Sequence, residues 1–351
     1  MRILWASKGW HPLDQLIVHT LRDQGHDVAV FTMAAVRDGW EVPVHGRVVP
    51  TPATPLLGPI GVRRACRRHE ADVVFGNFAT TYGNYAVRGV PRGVPAVVLT
   101  WGSDVLLHGA QAGWSVLTKR ALRGADRVVA NASHLARAAE GLGARDVALL
   151  PYGIDATTFT VDLPHPPGWP GGEGPWLVCN RNLKPLYDHA TLLRGLARVE
   201  HAPAPRLLLT SDGPEREPLE DLARELGLAD RVTFTGRLPY EQLPNWLSSC
   251  SVWLSGARSD GLPLSMLEAM ASGLKIVVGE LPYVADWRVD GVTFPFPVGD
   301  PDGCARAIEQ ALAAPPLAPE HPGRAAILER GDVRRTAEGL VRIAREAGAR
   351  G

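Results

Sequence analysis

The stretch Ser259-Asp-Gly-Leu-Pro-Leu-Ser-Met-Leu-Glu268-Ala-Met-Ala-Ser-Gly273 concentrates the residues best suited to chemistry. An apolar run, Val252 to Ser255, ends in a polar Gly/Pro loop, and a helix is expected to begin near Pro263, where a missing N–H costs nothing. Gly273 is placed to close that helix in the left-handed conformation. Free N–H groups and the positive dipole end at such a helix start suit a diphosphate. Glu268, one turn in, offers two carboxylate oxygens that could take both hydroxyls of a ribose. Asp260 lies eight residues earlier in the loop, where it could accept sugar hydroxyls. Any one of these acids alone reads as a solvated surface group. The sequence acid, loop, helix start, acid at the end of a strand reads as a site.

The elements that must hold such a site alternate along the chain. Apolar runs at 3–6, 27–32, 71–77, 94–102, 128–131 and 147–153 read as strands, with helices between, including one capped by Ser133. Residues 160–175 are crowded with Pro and Gly and carry no period, which marks a linker. The alternation then restarts with strands at 176–180, 206–213, 231–236, 251–256 and 274–279. Continuous apolar strands separated by helices mean parallel sheets covered on both faces. The expected division is 1–158, a linker at 159–171, a second domain at 172–332, and a last helix at 333–351 that returns to the first domain. Such sheets bind ligands beyond the carboxyl ends of their strands.

Composition narrows the function classes. The 351 residues carry 37 basic and 37 acidic side chains, so bulk charge gives no support to nucleic-acid binding. Cys66, Cys179, Cys250 and Cys304 form no CxxC pair, which argues against a disulfide framework or a zinc site and fits a reducing cytosol. The opening residues meet Lys8, His11 and Asp14 too soon for a signal peptide. No run approaches the roughly 18 apolar residues of a membrane span. A cytoplasmic location without a metal or resident cofactor is the expectation. Neither GxGxxG nor GxxxxGK[ST] is present, so the usual phosphate cradles of nicotinamide enzymes and P-loop NTPases are missing.

The acidic stretch resembles the signature of family 4 of the retaining glycosyltransferases with the GT-B fold. LRDQGHDVAVFT (21–32), LLPYGIDATTF (149–159) and LLLTSDGPEREPLEDLARELGLADRVTFTG (207–236) extend that resemblance over nearly the whole chain. It implies an α/β fold of two facing, Rossmann-like doubly wound domains with an interdomain cleft. It also implies a nucleotide diphosphate sugar as co-substrate. Carried over, Glu268 would take the ribose hydroxyls and Asp260, where the family usually has Glu, the donor sugar. The amides of Gly261, Leu262 and Leu264 would approach the sugar and phosphates, and Gly236 and Arg237 would lie near the base. The family offers an Arg and, five residues on, a Lys to the diphosphate. Here the basic pair is Arg181 and Lys184, and the usual Lys position falls on Tyr187.

In the first half, many family members have a His where Trp101 stands. That moves attention to Asp104, which could meet the donor sugar or the acceptor, or could cap the segment that follows. Lys8, Gly9, Trp10 and His11 after the first strand, and Asn77, Tyr82 and Asn84 after another, offer aromatic faces and amides that suit sugar or cyclitol rings. The reading is transfer of a sugar to an acceptor hydroxyl with retained configuration, by front-face attack. The alternatives are a sugar-nucleotide epimerase of the same fold and a non-catalytic sugar-nucleotide-binding module. Balanced charge and the lack of a basic amphipathic stretch favour a small soluble acceptor. UDP, GDP, dTDP and ADP stay open as carriers, as does the oligomeric state.

Overall fold

A computed structural model describes residues 1–9, 12–35, 39–46 and 53–349. The chain divides into two compact units, one formed by Met1–Gly153 with Asp332–Gly351 and the other by Ile154–Gly331.

The first unit holds β1 (Arg2–Ala6), β2 (Asp27–Thr32), β3 (Val44–Gly46), β4 (Val73–Asn77), β5 (Ala96–Thr100), β6 (Arg127–Ala130) and β7 (Val147–Leu149). They form one parallel sheet in the order β3-β2-β1-β4-β5-β6-β7. The inner strands are apolar without alternation because both of their faces are covered, whereas the edge strands β3 and β7 are partly exposed. Ile3, Leu4, Val74, Val97 and Val129 are fully buried. Strand order reverses between β1 and β4, which opens a crevice at their carboxyl ends.

Two parts of this unit depart from the sequence reading. The helix Ser133–Gly141 has Ala132 at its cap position, with Ser133 as its first residue. The helix Thr54–His69 was not anticipated, because its composition hides it: Pro55, Gly58, Pro59 and Gly61 all fall inside it. Pro59 has no N–H for the Pro55 carbonyl, and the Arg88 guanidinium supplies the missing donor at 2.8 Å. The glycines permit close approach. A Cβ on Gly58 would sit 2.6 Å from the Tyr85 ring, and one on Gly61 2.6 Å from the Phe31 ring.

The closing helix Val333–Gly348 belongs to this first unit. Asp332 caps it by accepting from the Arg334 N–H at 2.7 Å. Thr336 bridges it to the end of β7, taking the Gly153 N–H at 2.8 Å and donating to the Pro151 carbonyl at 2.9 Å. Arg127 and Glu346 pair at 2.6 Å.

The second unit holds β8 (Trp176–Cys179), β9 (Arg206–Leu209), β10 (Val232–Phe234), β11 (Val252–Ser255), β12 (Lys275–Gly279) and β13 (Thr293–Phe296). The parallel order is β10-β9-β8-β11-β12-β13, so the reversal falls between β8 and β11. Leu177, Leu207, Leu209 and Leu254 form its core with the helices His189–Leu196 and Pro301–Ala313. The Pro/Gly-rich run read as a linker is held against this unit. The Leu163 N–H donates to the Ser248 hydroxyl at 2.9 Å, and the Trp169 ring meets Trp176 at 5.3 Å and Trp246 at 5.7 Å. An indole placed between two others outweighs the lack of periodicity. Among the described residues no helix is long and apolar enough to cross a membrane.

Candidate active site

The strongest cluster lies at the reversal point of the second sheet. β8 runs out into Asn180 and Arg181, and β11 into the loop that carries Asp260. The Trp253 Nε1–H donates to Asn180 Oδ1 at 2.7 Å, which ties the end of β8 to β11. Arg181 reaches across: one terminal nitrogen pairs with Asp260, and the other donates to the Ser265 hydroxyl at 3.0 Å. Its guanidinium lies 4.2 Å from the centre of the Tyr187 ring. Burial works against the charge on Arg181, but Asp260, aided by Tyr187 and Tyr283, outweighs it and raises its pKa. The Arg181 Nε–H and the Tyr283 hydroxyl are buried and have no hydrogen-bond partner among the described residues. Unmet buried polar groups of this kind are costly, and here they stand beside a cation and a helix start.

That helix runs Leu264–Ala271, with Pro263 at the cap position and Gly273 at φ 82° beyond its end. Its first N–H groups have no acceptor within the helix. The Gly261 N–H, expected to face a ligand, is taken by Asp260 Oδ1 at 2.9 Å. Leu262 is buried and Leu264 opens the helix. Glu268 is buried and accepts a hydrogen bond from the Tyr240 hydroxyl at 2.8 Å. Burial pushes its carboxyl from the usual 4.5 up to about 7, against the opposing pull of the Tyr240 hydrogen bond and of Arg181. Tyr240, missed in the sequence, sits on a single 3₁₀ turn, Tyr240–Gln242, edge-on to Phe159. Tyr240→Phe is expected to raise the Glu268 pKa further. The pH below which donor affinity falls would then move upward in a calorimetric pH series.

The flanking groups separate into two kinds. Asn182 accepts from the Ser211 hydroxyl at 3.1 Å and from Arg237 at 3.2 Å, so Arg237 and the turn at Gly236 (φ 73°) adjoin the Arg181 loop. Lys184 is exposed on that loop and takes no part in the Arg181–Asp260 pair. Tyr187, at the position where a second cation was sought, supplies a ring face under Arg181 instead. Asp188 caps the next helix through the Thr191 hydroxyl at 2.9 Å and pairs with Arg258 at 2.9 Å. Beside it, burial lowers the His189 imidazole to about 4 and keeps it neutral at pH 7.

In the first unit the structure revises several expectations. Asp104 is fully buried. Its Oδ1 accepts the N–H groups of Trp101 and Gly102, both at 3.0 Å, and its Oδ2 that of Ala79 at 2.8 Å. It therefore fastens the loop after β5 to the turn after β4 and is not available to a substrate. Asp104→Ala would strand two buried N–H groups and a part-buried one, and is expected to cost about 3 kcal/mol or more, read as a fall in thermal midpoint.

Tyr82 is a core residue. Its hydroxyl accepts the Met33 N–H at 3.0 Å, and its ring packs edge-on to Phe31 and Tyr85. Asn84 is buried and donates to the Leu117 carbonyl at 3.0 Å. The Trp101 Nε1–H donates to Asn77 Oδ1 at 3.2 Å, and the Trp101 ring packs on Tyr152 at 4.9 Å. Lys8 is exposed and Gly9 buried, the Gly9 N–H donating to the Ser7 hydroxyl at 3.1 Å. Trp10 and His11 lie outside the described residues. A missed cluster stands near the β4 and β5 ends. Phe78, at φ 67°, meets His108 edge-on, and His108 stacks on Trp114, which is 47% exposed.

Two parallel sheets with this reversed order, one with a guanidinium–carboxylate pair and a helix start at the reversal point, define the GT-B class of α/β fold. Residues 171–327 match the family described as glycosyl transferases group 1, and residues 15–153 the glycosyl transferase 4-like domain. Each half of the chain is therefore similar to a glycosyltransferase domain.

The chain is 30% identical over 260 residues to the GDP-mannose-dependent alpha-(1-6)-phosphatidylinositol monomannoside mannosyltransferase of Mycobacterium tuberculosis. The match takes in 66% of this chain and 65% of that relative. The Mycolicibacterium smegmatis protein of the same description is 29% identical over 308 residues, 80% of this chain and 77% of the relative. A D-inositol 3-phosphate glycosyltransferase of Nocardiopsis dassonvillei is 29% identical over 224 residues, 57% of this chain and 52% of that one. Among solved structures, sucrose-phosphate synthase from Thermosynechococcus elongatus superposes with a TM-score of 0.81 at 17% identity, over 99% of each chain. HepE of Anabaena in complex with UDP follows at 0.77 and 18%, over 99% of this chain and 100% of that one.

Proposed function

We propose that this protein transfers a hexosyl group from a nucleotide diphosphate sugar to an acceptor hydroxyl, with the anomeric configuration retained. The observation that carries this is the Arg181 guanidinium, held by Asp260, Ser265 and Tyr187 beside the start of the helix that bears Glu268. In this reading the Arg181 Nε–H and the first helical amides receive the diphosphate, and Glu268 takes the ribose hydroxyls. The Asp260 carboxylate keeps Arg181 oriented and turns to the donor sugar. Charge grows on the diphosphate as it leaves, so a fixed cation stabilises the transition state more than the ground state. With Asp104 committed to backbone amides, front-face attack assisted by the leaving phosphate is favoured over a protein nucleophile.

The mannosyl relatives make GDP-mannose the first donor to test. Relatives whose names specify a phosphatidylinositol mannoside and D-inositol 3-phosphate share an inositol ring, which makes a cyclitol hydroxyl the acceptor class we favour. The expectation of a small soluble acceptor loses one of its two grounds. The helix Thr54–His69 is a basic amphipathic stretch, with Arg63, Arg64, Arg67 and Arg68 exposed. Product analysis after incubation with GDP-mannose or UDP-glucose and an inositol acceptor tests the reading. An α-linked product with release of nucleoside diphosphate supports it. Donor epimerised without an acceptor, or bound and never consumed, overturns it.

A further inference from the structure

The helix Thr54–His69 presents an outer face that is both apolar and basic. Leu56 is 71% exposed, Leu57 44% and Ile60 49%. One turn further on, Arg63, Arg64, Arg67 and Arg68 are exposed as well. At about 100° per residue these positions fall on one arc roughly 140° wide. The opposite arc, with Gly58, Val62, Ala65 and Cys66, is buried against the first unit. Among the described residues no carboxylate pairs with any of the four arginines. Their field reaches neighbours: after burial, Arg68 is the next cause of the lowered pKa of His45. The chain's net charge is zero, so this is a local concentration of charge. Beside it opens a groove of about 430 Å³, whose lining includes Phe31, Met33, Val44, Leu57, Ile60 and Arg64.

We propose that this face seats the first domain on an anionic phospholipid bilayer. Phosphates of the headgroups take the guanidiniums, and the aliphatic side chains enter the boundary between headgroups and acyl chains. Two features select this occupant. The charge calls for a polyanion. The exposed Leu56, Leu57 and Ile60 would gain nothing from a nucleic-acid backbone, and the face carries no aromatic side chain to stack on a base. An exposed aliphatic group beside arginines loses water only if the partner offers both phosphate and hydrocarbon.

The test is flotation of the full chain with vesicles, and it needs no donor, so its result is independent of the proposed activity. Binding is expected to vesicles of equal parts phosphatidylglycerol and phosphatidylcholine, and not to phosphatidylcholine alone. Higher salt should weaken it. Arg63→Glu, Arg64→Glu, Arg67→Glu and Arg68→Glu should each lower the partition coefficient by about fivefold or more. Combined Leu56→Ser, Leu57→Ser and Ile60→Ser should lower it with every charge kept. All these side chains are exposed, and circular dichroism would confirm folding. Equal binding to both vesicle types, retention in the charge-reversed protein, or unchanged binding of the triple serine variant would overturn the proposal. Capture by heparin with no vesicle binding would do so too.

Discussion

Arg181→Ala is expected to lower kcat about 100-fold while raising the donor KM by less than about tenfold. Loss of one preorganised charge at a developing anion typically costs 10²–10³ in kcat, roughly 2.7–4 kcal/mol. The geometry explains why this residue should be so sensitive. Its guanidinium is fixed on three sides, by Asp260, by the Ser265 hydroxyl at 3.0 Å and by the Tyr187 ring at 4.2 Å. A group held so firmly needs no reorganisation as charge builds on the diphosphate. Arg181→Lys keeps the charge but loses the planar fork, so its activity should fall between the two. Steady-state release of nucleoside diphosphate, with circular dichroism to confirm folding, measures this. A rise in KM alone would make Arg181 a ground-state anchor and remove its role at the leaving group.

Glu268→Gln is expected to have opposite effects on binding and on stability. The folded carboxyl titrates near 7, raised from the usual 4.5 by burial. The native state then holds more protons than the unfolded chain between those two values. This site's contribution to stability is therefore greatest below about 4.5 and is lost as pH rises through 7. A neutral amide removes the cost of burying that charge. The variant should gain on the order of 3 kcal/mol above pH 7 and nothing near pH 4. The same change replaces an ionised acceptor of two ribose hydroxyls by an amide, so donor affinity should fall by about 2–4 kcal/mol. Thermal midpoints at acid and alkaline pH, set beside calorimetric titration of donor, read both effects. A variant that binds donor as tightly as the native chain would take Glu268 out of the site.

The sequence carried the second unit well. Its strands are short apolar runs, and the loop from Ser259 to Gly273 states its own geometry through Pro263 at the cap and Gly273 in the left-handed conformation. What escaped were residues that meet only through the fold. Tyr240 and Glu268 are 28 apart in sequence, and nothing local in RLPYEQL marks Tyr240. Tyr187 read as a missing cation because the ring's use, under Arg181, depends on where the next turn folds.

In the first unit, polar residues near strand ends suggest ligand contacts, or for Asp104 a cap, yet Asp104, Tyr82 and Asn84 are spent on the protein's own amides and carbonyls. Strand-end loops need internal acceptors as much as sites do, and spacing does not tell the two apart. The helix Thr54–His69 was hidden for a local reason. Two prolines and two glycines argue against a helix until Arg88, Tyr85 and Phe31 are seen beside it.

The donor is proposed to lie where the order of the second sheet reverses, between the loops after β8 and β11. Hydrogen–deuterium exchange with and without a saturating nucleoside diphosphate, GDP and UDP in turn, tests it most directly. Protection of amides within 180–184 and 259–268, with a weaker effect near 236–240, is expected, and its loss in Arg181→Ala. Protection confined to residues of the first unit, or unchanged protection in Arg181→Ala, would contradict it.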